Sequence, residues 1–232
     1  MPRAILFDAG NTLVYADPVR LAEIFRGVGA EVDEEGVQGA ELRARRILHE
    51  SVRRGHAGTE PEVWRGYFER LFLEAGVPGE GMEAAGQRLR EAHRRDHLWT
   101  GVAPGTHETL EALAGVGHRL AVISNADGRM EALLERVGLT RHFEFVLDSE
   151  VAGVAKPDPA IFLAATARLA LDAAECLYVG DLYPVDYLGA RGAGLDAVLL
   201  DPLDMHGERA ETVASLPELP AFVGVGSTRD SS

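Results

Sequence analysis

Short apolar runs, each closed by a polar or glycine-bearing turn, recur along the chain: Ala4–Phe7, Leu120–Ile123, Phe145–Leu147, Leu177–Val179 and Ala197–Leu200. Each run has the length of a strand. Between them, Thr106–Leu113, Arg129–Val137, Ala160–Leu169 and Asp186–Arg191 carry apolar residues at helical spacing. Strands alternating with helices need crossover connections, and crossovers produce a mostly parallel sheet with helices on both faces. The expected fold class is α/β.

The interval from Asp17 to Trp99 has a different texture. It offers no convincing strand, but four helical stretches, Arg20–Val28, Glu34–Arg54, Pro61–Ala75 and Gly81–His97, separated by glycine-rich turns at Gly55–Gly58 and Gly76–Gly81. We read it as an all-helical insertion after the first strand. The expected organisation is a core of residues 1–16 and 100–226, a helical cap over 17–99 and a disordered polar tail over 227–232. Arginines on the insertion's helices, among them Arg43, Arg45, Arg46, Arg53 and Arg54, read as solvated surface.

Charge narrows the function. A formal net charge of −14 repels nucleic acid and anionic membranes, so neither is expected as a partner. An anionic small substrate needs a local cation against that background. Cys176 is the single cysteine and lies beside an apolar run, where it reads as a small core residue. No signal-like leader and no apolar stretch of membrane-spanning length is evident, so the expectation is a soluble, cytoplasmic chain. Nothing in the residues fixes an oligomeric state. Lys156 is the single lysine among 23 basic residues, which favours a chemical reason for an ammonium there over drift.

In open parallel sheets ligands bind beyond the carboxyl ends of the strands, so chemistry is sought immediately after each run. The first run leads into Asp8-Ala9-Gly10-Asn11-Thr12 and the second into Ser124-Asn125. A later loop reads Ala155-Lys156-Pro157-Asp158-Pro159, and the fourth run leads into Gly180-Asp181, with Asp186 five residues on. Taken singly, an acid there can be a helix cap, Ser124 a capping hydroxyl and Lys156 a surface charge. Taken together, they resemble the four-motif pattern of the haloacid dehalogenase superfamily, from the first strand to about Leu200.

That resemblance implies a Rossmann-like core with a helical cap, and a magnesium-dependent phosphohydrolase acting on a small phosphorylated metabolite through an aspartyl-phosphate. It assigns Asp8 as nucleophile, and Asp8, the Gly10 carbonyl, Asp181 and Asp186 as holders of Mg²⁺, with Asp186 acting directly or through a water. Ser124, the backbone amide of Asn125 and Lys156 would bind the phosphoryl group, and Thr12 would hydrogen-bond near the nucleophile. Asn11 reads as a turn residue.

The pattern breaks at Gly10. Phosphatases of this superfamily usually have a second aspartate there as proton donor, and general acid–base help contributes roughly 10²- to 10⁴-fold. Tyr15, His49 and His56 are substitutes by residue type only, and helix histidines are ordinarily exposed. One alternative is a metal-free 2-haloacid dehalogenase, since halide leaves unprotonated; Asp181 and Asp186 would repel it. Another is a non-catalytic binding protein, against which the retained charge crowding argues. Phosphonoacetaldehyde hydrolases also lack the second aspartate, but they use a cap lysine, and residues 17–99 contain none.

Overall fold

The computed structural model describes residues 1–53 and 61–225. The Gly55–Gly58 turn, Arg54, His56 and the 227–232 tail lie outside the described residues. The chain runs β1 (Ala4–Phe7), β2 (Val14–Tyr15), α1 (Pro18–Arg26), α2 (Glu34–Arg53), α3 (Pro61–Glu74), α4 (Met82–Arg95) and β3 (Gly101–Val102). It continues through α5 (Thr106–Gly115), β4 (Arg119–Ser124), α6 (Met130–Arg136), β5 (Val146–Asp148), α7 (Ser149–Ala152), α8 (Pro159–Leu169) and β6 (Cys176–Gly180). α9 (Leu188–Gly192), β7 (Asp196–Leu200), β8 (Thr212–Val213) and α10 (Leu219–Phe222) close the order. Two compact units result: Met1–Val14 with Val102–Ser232, and Tyr15–Gly101.

Among the described residues the first unit holds a six-stranded sheet in the order β5-β4-β1-β6-β7-β8, parallel throughout. The fold is α/β and Rossmann-like. β1 is central because its four residues are apolar and fully buried, Ile5 pairing with Leu120 on one side and Leu177 on the other. Strand alternation sends Ala4 and Leu6 into a cluster with Ile161, Phe162 and Ala165 of α8 and Ala190 of α9. Ile5 and Phe7 face the other way, and Phe7 meets the Phe143 ring edge-on at 6.0 Å. β8, only two residues long, carries too little pattern to be read from sequence.

One helix differs from its sequence reading. Instead of starting at Asp186, the chain makes a wide π-type turn over Tyr183–Tyr187 before α9 begins at Leu188. The turn folds Asp186 back towards β6, where its carboxylate accepts from the Leu182 N–H at 2.9 Å. Such turns are frequent where a functional side chain must be re-aimed.

The second unit is built from α1 to α4. Asp17 caps α1, accepting from the N–H groups of Val19 (2.9 Å) and Arg20 (3.3 Å), with Pro18 in the first turn. Leu21, Phe25, Val37, Ala40, Ala44, Leu48, Leu71 and Phe72 are buried, and the Phe25 and Phe72 rings meet edge-on at 5.7 Å. Two expectations fail in α2. Arg45 is 3% exposed and His49 1%, whereas Arg43 and Arg46 are exposed as expected. Arg45 is satisfied internally: Nε and an Nη donate to the Glu41 carboxylate at 3.0 and 2.6 Å, and Tyr67 donates its hydroxyl to the same group at 3.1 Å. No helix among the described residues is long and apolar enough to cross a membrane.

Candidate active site

β1, β4 and β6 end at one edge of the sheet, because parallel registry aligns Phe7 with both Val122 and Val179. Asp8 therefore emerges beside Asp181, and its N–H donates to the Val179 carbonyl at 2.8 Å. The chain then winds tightly: the N–H groups of Thr12, Leu13 and Val14 all donate to the Ala9 carbonyl, at 3.3, 2.8 and 2.9 Å. Asn11 takes φ 57°, a left-handed conformation its side chain tolerates, and Gly10 bridges to Val14. Thr12 is fully buried within this turn.

Lys156 arrives on the loop before α8. Its backbone is clamped by the Asn125 side chain, whose amide donates to the Lys156 carbonyl at 2.9 Å while its oxygen accepts from the Lys156 N–H at 2.8 Å. The ammonium, 3% exposed as a residue, donates to Asp8 Oδ1 at 2.5 Å, Asp186 Oδ1 at 2.8 Å and the Tyr178 hydroxyl at 2.8 Å. Gly180 is required beside it: a Cβ there would lie 2.4 Å from Asp186 Cγ. Ser124 ends β4, buried and in register with Asp148 of β5.

Two contributors escaped the sequence reading. Tyr178, inside an apolar run, looks like core; the available signal was that a buried tyrosine hydroxyl needs a partner. Asp148 closes its run as Asp8 does, but accepts from the N–H groups of Gly128 (3.0 Å), Met130 (3.3 Å) and Glu150 (3.0 Å), tethering the loop that follows Ser124 and Asn125. Of the substitute proton donors, His49 lies with the buried residues of α2 and Tyr15 under the Arg45 guanidinium, 5.6 Å from the ring centroid.

The electrostatics are lopsided. Asp8, Asp181 and Asp186 are all buried, and each offers a carboxylate oxygen within 4.8 Å of the others. Burial pushes the Asp8 carboxyl up to about 6; Lys156 pulls it down and Asp186 pushes it further up. Burial also works against the Lys156 ammonium, but the charges and hydrogen bonds of Asp186 and Asp8 outweigh it and raise its pKa, keeping it protonated. Tyr178 is driven well above the ordinary phenol range, by burial first and then by the neighbouring acids, and stays a neutral hydroxyl. Among the described residues, three acids gather here around one ammonium, an acid-rich cluster that favours added positive charge. The all-oxygen donor set is of the hard type that suits a divalent ion such as magnesium.

The sequence matches the haloacid dehalogenase-like hydrolases over residues 2–194. The chain belongs to that family. Its relatives include the bovine haloacid dehalogenase-like hydrolase domain-containing protein 3, 34% identical over 212 residues, covering 87% of this chain and 84% of that one. A ribulose-1,5-bisphosphate 5-phosphatase from Halopiger xanaduensis is 35% identical over 212 residues, covering 87% and 86%. Among solved structures, a 2-haloacid dehalogenase from Pseudomonas syringae pv. tomato is 27% identical with TM-score 0.58, covering 96% of this chain and 98% of that one. This haloacid dehalogenase-like chain is thus a hydrolase, and because both a phosphatase and a dehalogenase resemble it, its strand-end residues must carry any finer distinction.

Proposed function

We propose that this hydrolase is a magnesium-dependent phosphatase of a small phosphorylated metabolite, with Asp8 as nucleophile and the helical unit as the cap that sets specificity. The observation that carries the reading is the cluster of three buried acids, oxygens within 4.8 Å, two of them paired with the ammonium of Lys156 among the described residues. A phosphatase has a use for such a cluster, because it would hold a divalent cation that offsets the charge of the acids and of a phosphoryl group. A relative named as a sugar-bisphosphate phosphatase supports the same substrate class. A cytoplasmic setting goes with the proposal, and the single buried thiol of Cys176 suits it.

Asp8 and Asp181 would hold Mg²⁺, with the Gly10 carbonyl as a further oxygen and Asp186 direct or through a water. The ion would supply charge neutralisation and polarise the phosphoryl oxygens. Asp8 attacks phosphorus as the P–O ester bond breaks, and the leaving oxygen takes its proton from solvent because Gly10 has none to give. A water then attacks the aspartyl-phosphate to release phosphate and restore the Asp8 carboxylate. Lys156 keeps Asp8 anionic and faces the charge that develops on the transferring group. Ser124 and the backbone N–H of Asn125 donate to phosphoryl oxygens, and Asn125's side chain holds the Lys156 backbone in place. Thr12 steadies the turn behind the nucleophile.

Gly10 favours a second reading, dehalogenation, in which Asp8 attacks carbon and halide leaves without a proton. The crowding of Asp181 and Asp186 argues against it, since it would repel the departing anion. A paired assay separates the two. The proposal expects p-nitrophenyl phosphate hydrolysis that requires Mg²⁺ and is blocked by fluoroberyllate, with no halide from 2-chloropropionate. Halide release in the presence of chelator, without phosphatase activity, would reverse the assignment.

A further inference from the structure

Tyr178 is fully buried in the central strand β6, with its ring edge-on to Phe162 at 5.1 Å. The ring reaches from the sheet to the strand ends, where its hydroxyl accepts a hydrogen bond from Lys156 Nζ at 2.8 Å. The same hydroxyl lies 3.2 Å from the Ile123 carbonyl and 3.2 Å from Asp186 Oδ1, so its single proton is shared between two acceptors. An ammonium has three protons. Here they go to Asp8, Asp186 and Tyr178, one uncharged acceptor between two acids.

That third contact fixes the direction of the other two. A lysine head on a flexible four-carbon stem can swing towards whichever acid attracts it more. An uncharged acceptor on a rigid ring, packed against Phe162 and bonded to the backbone of β4, removes that freedom. We propose that Tyr178 is a positioning residue, which holds the Lys156 ammonium between Asp8 and Asp186 so that its charge faces the reacting group. The inference rests on the phosphatase reading for its kinetic consequence, but not for its geometry.

Because Lys156 is the single lysine of the chain, ¹⁵N-lysine labelling gives one ammonium resonance that needs no assignment. In the wild-type protein the ammonium protons should exchange slowly and show a nuclear Overhauser contact to the Tyr178 ring. In Tyr178→Phe, with circular dichroism unchanged, the resonance should broaden through faster exchange. On p-nitrophenyl phosphate kcat should fall about tenfold with KM changed less than about twofold, the signature of a misplaced group, not of lost binding.

An ammonium resonance identical in the two proteins, or an unchanged kcat, overturns the proposal. If Tyr178→Phe does not fold, the wild-type contact decides: its absence overturns the proposal and its presence supports it. If the wild-type protein hydrolyses no phosphate ester, the phosphatase reading fails on its own, and the ammonium spectra still test whether Tyr178 holds the lysine.

Discussion

Lys156 in the α/β unit and Arg45 in the helical unit are both 3% exposed, and a tyrosine hydroxyl takes part in the hydrogen bonding around each. Their charge balance differs. Arg45 meets Glu41 through two parallel hydrogen bonds one helical turn away, a cation paired with an acid in a planar fork. Lys156 is a point charge among Asp8, Asp186 and, in the same cluster, Asp181. The paired arginine sits among the buried residues of α2 and serves packing. An acid-rich buried cluster of this kind favours the uptake of positive charge, and that marks a candidate site.

The sharpest way to break this contrast is Asp8→Asn, which should lower turnover by at least about three orders of magnitude, as removing a nucleophile does, while leaving the circular dichroism unchanged. Near-wild-type rates would remove Asp8 from the chemistry. Next, Lys156→Met should reduce kcat about 10²- to 10³-fold, the range for losing one charged donor to the reacting group. Its counterpart Arg45→Met should leave kcat alone but destabilise the fold by about 3 kcal/mol in a denaturant titration, because Glu41 loses its partner. If the two variants exchanged phenotypes, the contrast would be drawn the wrong way round.

Gly10→Asp sharpens the comparison by separating charge from proton donation. It should raise the rate on alkyl phosphates by up to about 10²-fold, but barely alter p-nitrophenyl phosphate, whose leaving group needs no acid. A flat rate on both would mean that another group already supplies the proton. The smallest effect is one of stability. In metal-free protein the folded state keeps the Asp8 proton up to about 6, whereas the ordinary carboxyl loses it near 3.8. Stability should therefore fall as pH rises through that window. Asp8→Asn removes this loss, so in chelator it should melt above wild type at pH 7, with the gain vanishing below pH 4. Equal melting temperatures at pH 7 would contradict the charge imbalance.

The parallel sheet was legible because strands buried on both faces must be apolar throughout, and those runs stood out at Ala4–Phe7 and Ala197–Leu200. Reading the residues just beyond such runs singled out Asp8, Asp181 and Ser124, and strand order alone brings them to one edge. Tyr178 was hidden by its apolar neighbours, and only the fold shows that its hydroxyl reaches Lys156. Asp148 has the same local pattern as Asp8; that it ties down a loop depends on the backbone geometry of Gly128 and Met130. In α2 the buried stripe runs through Val37, Ala40, Ala44 and Leu48, and positions 41, 45 and 49 border it. Helical periodicity places those positions at the margin, and Tyr67 on α3 draws Glu41, and with it Arg45, inward.

The central claim is that three acids around one lysine take up a divalent cation, and calorimetric titration of the chelator-treated protein with Mg²⁺ tests it most directly. The account predicts a single site that is lost in Asp181→Asn, weakened in Asp8→Asn and unchanged in Arg45→Met. No uptake by the wild-type protein, or uptake untouched by Asp181→Asn, would contradict it.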